Sequence, residues 1–328
     1  MPWASSLARS EALTPGGYQE FMSGYRRGAA APAPETNPST PEREQLGKTL
    51  FFDPRLSASG VMSCGTCHNP GLAWGDGMPK GVGHGMKTLG RRTPTLLNVA
   101  WGELFFWDGR AASLEEQALG PIASPDEMNL SLEQLTARIR EIPEYRPLFE
   151  AAYPGEPISP PTIAKAIASY ERTIVSGSAP FDRWIDGAED AISEDAKRGF
   201  LLFNTKAQCS TCHATWRFTD DAFHDIGVPG EDRGRGKHLP QIGVAQFAFK
   251  TPTLRNVDRR APYMHDGSEP SLEAVIELYD RGGKAVRPSL AREMQRLDLS
   301  DGDKSALLAF LKTLTSSDAP VALPVLPR

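Results

Sequence analysis

All four cysteines of this 328-residue chain fall in two Cys-x-x-Cys-His motifs, Cys64-Gly65-Thr66-Cys67-His68 and Cys209-Ser210-Thr211-Cys212-His213. That spacing is the attachment signature for c-type haem: two thiols form thioethers to the haem vinyls, and the adjacent imidazole binds iron. One turn of backbone sets both sulfurs along one haem edge, and the next residue swings its ring under the metal. A zinc site or a pair of disulfides fits less well. Zinc ribbons bring two cysteine pairs onto one metal from about 15–20 residues apart. Here the pairs lie far apart in the chain, and a histidine follows each directly. Two motifs make a di-haem protein, and redox chemistry follows.

The second axial position of such a haem decides between electron transfer and chemistry, and an internal repeat bears on it. Residues 92–121 overlay residues 250–279 without gaps. Thr93-Pro94-Thr95-Leu96 meets Thr251-Pro252-Thr253-Leu254, Asn98-Val99 meets Asn256-Val257, Trp107-Asp108-Gly109 meets His265-Asp266-Gly267, and Ser113-Leu114-Glu115 meets Ser271-Leu272-Glu273. The overlay sets Tyr279 opposite Pro121. A tyrosine binds ferric iron as phenolate, whereas a proline has no ligating side chain. If both positions face a haem, haem two is six-coordinate and haem one is open to peroxide. Tyr279 also reads as an aromatic core residue, and Met264, His265 and Met294 are further ligand candidates. The choice matters because axial ligation helps spread haem potentials over about 0.8 V. The open side needs acid–base help, for which a carboxylate with an amide neighbour serves. Glu127 and Gln117 flank Pro121 and are the candidates. Trp107 reads as core packing or as a carrier of an electron hole.

The elements that must position these residues read as helical. Thr40-Pro41 is an N-cap followed by an N1 proline. Ser113-x-x-Glu116 and Ser131-x-x-Gln134 are capping boxes. Ser159-Pro160 opens an amphipathic run with Ile163, Ile167, Tyr170 and Ile174 on one face. Ser193 caps the helix before the second motif. Alternating strand patterns are scarce, and Gly and Pro crowd the segments after each motif, which predicts long loops around the haems. The expected architecture is all-α, with little strand and two haem domains related by internal repeat. Residues 1–39 form an N-terminal extension, with Gly28 to Pro41 read as a linker. Residues 40–177 form the domain of the peroxide-binding haem, 178–316 that of the Tyr-ligated haem, and 317–328 a tail.

A formal net charge of -5 argues against a nucleic-acid partner. No apolar run approaches the roughly 18 residues of a membrane helix. Covalent haem attachment takes place outside the cytoplasm, so a periplasmic location and a signal peptide are expected. Residues 1–27 lack an apolar h-region, which points to a signal that was cleaved or replaced.

Together these residues resemble the bacterial di-haem cytochrome c peroxidase and MauG superfamily over about residues 40–315. The resemblance rests on Leu46-Gly47-Lys48 with Leu50-Phe51-Phe52-Asp53-Pro54-Arg55-Leu56, both haem motifs, Phe106-Trp107-Asp108-Gly109-Arg110, Glu127-Met128, and Ala261-Pro262-Tyr263-Met264-His265-Asp266-Gly267. It implies two cytochrome c-like domains, with Trp107 between the haems and Gln117 and Glu127 distal to the peroxide-binding one. Ordinary peroxidases carry methionine at the position of Tyr279, and MauG-like enzymes carry tyrosine. The latter use hydrogen peroxide to store two oxidising equivalents as a bis-Fe(IV) state and oxidise tryptophan on a partner protein. The segment Phe218 to Gly227 also looks MauG-like, and the MbnH branch, which converts a partner's tryptophan to kynurenine, reads as closest.

Three departures from the family pattern stand out. His84 occupies the place of a loop histidine that caps haem one in classical peroxidases. It reads either as a reversible iron ligand or, as favoured here, as part of a solvated Gly-rich loop with Gly81, Gly83 and Gly85. Arg92 and Arg260 stand where the family holds calcium with an asparagine side chain and a threonine carbonyl, so calcium is doubtful. Ala207 replaces a surface tryptophan that MauG uses, and Trp216 reads either as an exit for the hole or as packing at a haem edge. The basic stretch Arg233, Arg235, Lys237 and His238 reads as a solvated loop, with docking of an acidic partner or of haem propionates as the alternative. His224 reads as a hydrogen-bonding residue near haem two, and Asp108 and Asp266 as turn supports. The alternatives to tryptophan oxidation are a peroxidase fed by a small cytochrome or cupredoxin, and a non-catalytic electron carrier.

Overall fold

The structure is a computed structural model that describes residues 17–28 and 30–328. The first sixteen residues of the expected N-terminal extension, and with them most of the region searched for a signal, lie outside the described residues. In chain order the helices are α1 (Gln19–Met22), α2 (Pro41–Phe51), α3 (Cys64–Cys67), α4 (Leu114–Ala123), α5 (Leu132–Arg140), α6 (Tyr145–Ala152), α7 (Pro160–Arg172), α8 (Pro180–Ile185), α9 (Glu194–Asn204), α10 (Leu272–Asp280) and α11 (Asp301–Lys312). Strand among the described residues is confined to one antiparallel pair, β1 (Phe223–His224) and β2 (Phe249–Lys250), and a few isolated bridges. No helix among the described residues is long and apolar enough to cross a membrane.

Local capping chemistry explains where the helices begin. The Thr40 hydroxyl accepts from Arg43 N–H, Ser113 from Glu116 N–H, Ser131 from Gln134 N–H, Ser193 from Ala196 N–H and Ser271 from Ala274 N–H. Each side chain satisfies a backbone donor that the first helical turn leaves open. Ser159 and Thr162 form a reciprocal box at the start of α7.

The chain divides into two compact units. One comprises residues 30–175 with 265–267 and 319–328. Its core gathers Leu46, Leu50 and Phe51 of α2 with Ile163, Ile167 and Tyr170 of α7, and Ile122, Leu135, Ile139, Tyr145 and Phe149 of the helices between. The backbones of α2 and α7 meet at Gly47, where a Cβ would lie 1.9 Å from the Ala166 carbonyl oxygen and 2.9 Å from Tyr170 Cβ.

The other unit contains 176–264, 268–318 and the described N-terminal residues. Its core is aromatic, with Phe181, Trp184, Phe200, Phe203, Phe218 and Phe310 joined by Tyr25. Here α9 and α11 meet at Gly199, where a Cβ would lie 2.0 Å from the Ala306 carbonyl oxygen and 2.7 Å from Phe310 Cβ. Behind this core, the buried Arg255 guanidinium pairs with Asp182, with Nη1 and Nη2 each 2.8 Å from a carboxylate oxygen. A methyl group at either glycine would drive two helices apart, and overpacking of this kind costs about 1–3 kcal/mol. Gly47→Ala and Gly199→Ala are expected to lower the melting temperature measured by far-ultraviolet circular dichroism. An unchanged midpoint would show that the helices separate at no cost.

Two segments differ from the sequence reading. The Ala- and Pro-rich stretch expected as a linker is pinned by Asn37, which is buried. Its amide donates to Glu115 Oε1 and to the Lys165 carbonyl oxygen, both at 2.9 Å, and its Oδ1 accepts from the Tyr153 hydroxyl. The tail from 319 onward packs on the first unit: Arg55 Nη1 donates to the Pro327 carbonyl oxygen at 2.9 Å, and Val321 lies against the core.

Candidate active site

The first attachment motif is a single turn, α3, opened by Ser63 and Thr66 in a reciprocal cap. It returns His68 N–H to the Cys64 carbonyl oxygen at 2.8 Å. The His68 ring gives Nδ1 to the Trp74 carbonyl oxygen at 3.1 Å. In the second motif a 3-10 turn over Cys209–Thr211 returns His213 N–H to the Cys209 carbonyl oxygen at 2.9 Å, and Nδ1 meets the Phe218 carbonyl oxygen at 2.8 Å. Burial holds both imidazoles below their ordinary range. Each ring therefore favours its neutral form, with Nδ1 committed to the backbone.

The donor set fits covalently held haem. All four cysteines are free of disulfides, and each pair flanks one turn beside a neutral histidine. Burial pushes Cys67 up to about 11 and Cys209 up to about 12. Such thiols stay protonated and are poor thiolate ligands for a metal ion. One three-donor group that could hold an ion occurs among the described residues, Cys212 with Asp220 and His224, and it includes an attachment cysteine. His224 Nε2 sits 2.7 Å from Asp220 Oδ2. That hydrogen bond, with a second to Cys212, raises His224 to about 10. The pair agrees with reading His224 as a hydrogen-bonding residue.

Around the first motif, Glu127 lies on the turn that follows α4. Its N–H returns to the Ser124 carbonyl oxygen at 3.1 Å, and the next residue's N–H to the Pro121 carbonyl oxygen at 3.1 Å. The turn folds Glu127 back toward Cys67, whose thiol feels its charge after burial and Asp76. Gln117, half-buried, is on α4 one turn before Pro121.

The loop carrying His84 is tied to the Glu127 turn. His84 N–H donates to the carbonyl oxygens of Glu127 (2.7 Å) and Asp126 (3.1 Å). A Cβ at Gly83 would lie 1.9 Å from the Asp126 oxygen, so glycine is what lets the two segments touch. His84 Nδ1 is buried with no hydrogen-bond partner among the described residues. The loop expected to be solvated is exposed over 85–88, but its backbone at 83–84 is paired with 126–127, a long-range contact with no local sequence signature.

Trp107 is half-buried; its Nε1 donates to the Arg92 carbonyl oxygen at 2.8 Å and its ring stands edge-on to His265, with centroids 6.5 Å apart. Arg92 and Arg260 are both buried. Guanidiniums offer donors only, whereas calcium takes oxygen ligands. Asp108 binds Arg91 at 2.7 Å and Arg110 at 2.9 Å. Burial would raise its carboxyl, but the two guanidiniums outweigh that and hold it below the usual range.

At the second motif, Tyr279 is carried inward on the last turn of α10. Burial raises its phenol well above the ordinary value, and the next contributions come from Cys209 and Cys212. The phenol therefore lies in the electrostatic field of both attachment cysteines. Its counterpart in the overlay, Pro121, is inside α4. The Trp216 ring has Arg27 4.9 Å and Arg255 5.8 Å from its centroid. The two guanidiniums share the single Asp182 carboxylate, so a net positive charge stands beside the ring. This weighs against Trp216 as an exit.

The basic stretch is internally satisfied: Arg233 holds Gln246 Oε1 at 2.8 Å and 2.6 Å, and Lys237 pairs with Asp232 at 2.8 Å.

Two features escaped the sequence reading. Glu171 of α7 is buried with Oε2 unpaired among the described residues. Burial raises it to about 8, with Arg172 opposing and Glu115 adding. Leu323, Pro324 and Leu326 of the tail line a cleft of about 360 Å³ with Ser63, Gly65 and Thr66 of the attachment turn. Neither had a local signal, since an acid on an amphipathic helix reads as solvated and a Pro-rich tail reads as free.

A family model described as di-haem cytochrome c peroxidase matches residues 41–190. The methylamine utilization protein MauG of Methylorubrum extorquens is 54% identical over 306 residues, covering 92% of this chain and 86% of that protein. The protein of the same name from Methylophilus methylotrophus is 49% identical over 307 residues, 93% of this chain and 91% of its own. Among solved structures, a MauG-like protein associated with microbial copper homeostasis superposes with a TM-score of 0.82 at 31% identity, covering 88% of this chain and 93% of that one.

Proposed function

Because the chain belongs to the di-haem cytochrome c peroxidase and MauG family, and is thus a haem-dependent oxidoreductase with two c-type haems, we propose that it uses hydrogen peroxide to oxidise tryptophan on a partner protein in the periplasm. The observation that carries this reading is the asymmetry between Pro121 and Tyr279. The helix after the first motif offers no ligating side chain at that position, while the helix after the second carries the half-buried Tyr279, whose phenol is raised by burial and then by Cys209 and Cys212. Identity of 54% and 49% to two proteins named MauG supports MauG itself as the preferred branch over MbnH. Two cytochrome c-like domains related by repeat suit the reading, since Gly47 and Gly199 make the same helix crossing.

Bound haem supplies the iron that cleaves the O–O bond and a conjugated ring that holds oxidising equivalents. The residues do the rest. His68 and His213 would hold the two irons through their imidazoles. Glu127 takes a proton from one peroxide oxygen and returns it to the other, while the Gln117 amide orients the peroxide. Reduction of peroxide to two waters consumes two protons and two electrons, and the electrons come from the partner's indole. Tyr279 would hold the second iron as a phenolate and so exclude exogenous ligands, and Trp107 would pass electrons as an oxidisable ring.

The test is a stopped-flow mix of the fully ferric holoprotein with one equivalent of hydrogen peroxide. The expected result is an oxidised spectrum that persists for many seconds without prior reduction. If the protein reacts only after half-reduction and then turns over with a small cytochrome or cupredoxin, the detoxifying peroxidase is the right assignment instead.

A further inference from the structure

The second unit contains an aromatic series that leads from the His213 pocket to the surface. The Phe218 carbonyl oxygen accepts from His213, and the Phe218 ring stacks on Tyr25 with centroids 5.0 Å apart. Tyr25 stands against Phe200 at 5.2 Å and Phe181 at 6.0 Å. Those two rings flank Trp184 at 5.4 Å and 5.9 Å, and Trp184 meets Tyr18 at 5.0 Å. Trp184 is fully buried, whereas Tyr18 is half-buried.

The hydrogen bonds assign each ring a different task. Tyrosine gives up an electron readily only when its proton can leave with it. Tyr25 donates to Asn204 Oδ1 at 2.8 Å, and an amide oxygen takes no proton. Tyr25 therefore bridges, as the phenylalanines do. Trp184 Nε1 has no acceptor among the described residues, so an oxidised indole there keeps its proton and returns to its starting state when an electron arrives. Tyr18 reaches solvent, where its phenolic proton can go. Trp216, the exit that the sequence suggested, carries two guanidiniums over its ring.

Resting on the peroxide chemistry proposed above, we infer that Trp184 and Tyr18 form a second exit for oxidising equivalents, from the pocket of haem two to the protein surface. Each passage moves one electron. Trp184 loses it toward the haem two pocket and is refilled from Tyr18, which releases its phenolic proton to water. The resulting Tyr18 radical is closed by a hydrogen atom from a small phenolic donor. Two passages supply the two electrons with which peroxide and two protons become two waters.

The test uses the ferric holoprotein with hydrogen peroxide and the nitrone spin trap DMPO, without partner, and locates adducts by peptide mass. The expected adduct is on Tyr18, lost in both Tyr18→Phe and Trp184→Phe and retained in Tyr25→Phe, where the bridging ring survives. Tyr18→Phe, which changes only a half-buried hydroxyl, also lengthens the life of the oxidised spectrum. An adduct on Tyr18 that persists in Trp184→Phe overturns the relay, as does a protein that is oxidised yet unlabelled at Tyr18. A protein whose spectrum peroxide leaves unchanged removes the function and the relay together.

Discussion

Glu127→Gln is expected to react with hydrogen peroxide about 10²–10⁴-fold more slowly than the parent, the usual contribution of a positioned acid–base group. The substitution keeps the shape and hydrogen-bonding reach of the side chain but removes its capacity to take and return a proton. The turn that presents residue 127 is held by backbone bonds from residues 127 and 128 to the Ser124 and Pro121 carbonyl oxygens and by the His84 N–H, all independent of the side chain. The loss should therefore appear in the bimolecular rate constant while the ferric absorption spectrum and melting temperature stay put. A pure electron carrier would be indifferent to the change. Equal rate constants for the two proteins would remove Glu127 from the chemistry and return the open-iron reading to the level of analogy.

Tyr279→Met is expected to raise the midpoint potential of one haem by roughly a few hundred millivolts, within the span of about 0.8 V that axial ligation covers. A phenolate favours the oxidised metal and a thioether the reduced one. The exchange would move the protein toward the ordinary peroxidases, and prior reduction should become a requirement for peroxide turnover. Tyr279→Phe should instead leave that iron with an open position and a changed low-temperature EPR spectrum. Potentiometric titration reads the first effect. If both potentials are unmoved in Tyr279→Met and the EPR spectrum is intact in Tyr279→Phe, the phenol is a core residue, and the ligand must be sought among Met264, His265 and Met294.

What was legible in the chain was what local chemistry decides. The attachment motifs declare themselves by spacing. Thr40, Ser113, Ser131, Ser159, Ser193 and Ser271 cap the helices because each offers a hydroxyl to an open backbone donor, a matter of three residues. The buried face of α7 follows from its period, and Ile163, Ile167 and Tyr170 are all in the core. What escaped depends on partners distant in sequence. Asn37 looks like part of a polar, Pro-rich stretch until Glu115, Tyr153 and Lys165 surround it. Tyr25 precedes its stacking partner Phe218 by most of the chain, and no periodicity connects them. His84 sits beside Glu127 only because Gly83 allows two loops to touch.

The two proximal rings carry one further consequence. Both His68 and His213 give their Nδ1 proton to a peptide oxygen, of Trp74 and of Phe218. A carboxylate in that place would load the imidazole with negative charge and strengthen its push on the metal. A peptide group is neutral and lends no such help in either pocket. If the two irons divide the work as proposed, that difference would have to come from side chains other than these two backbone acceptors.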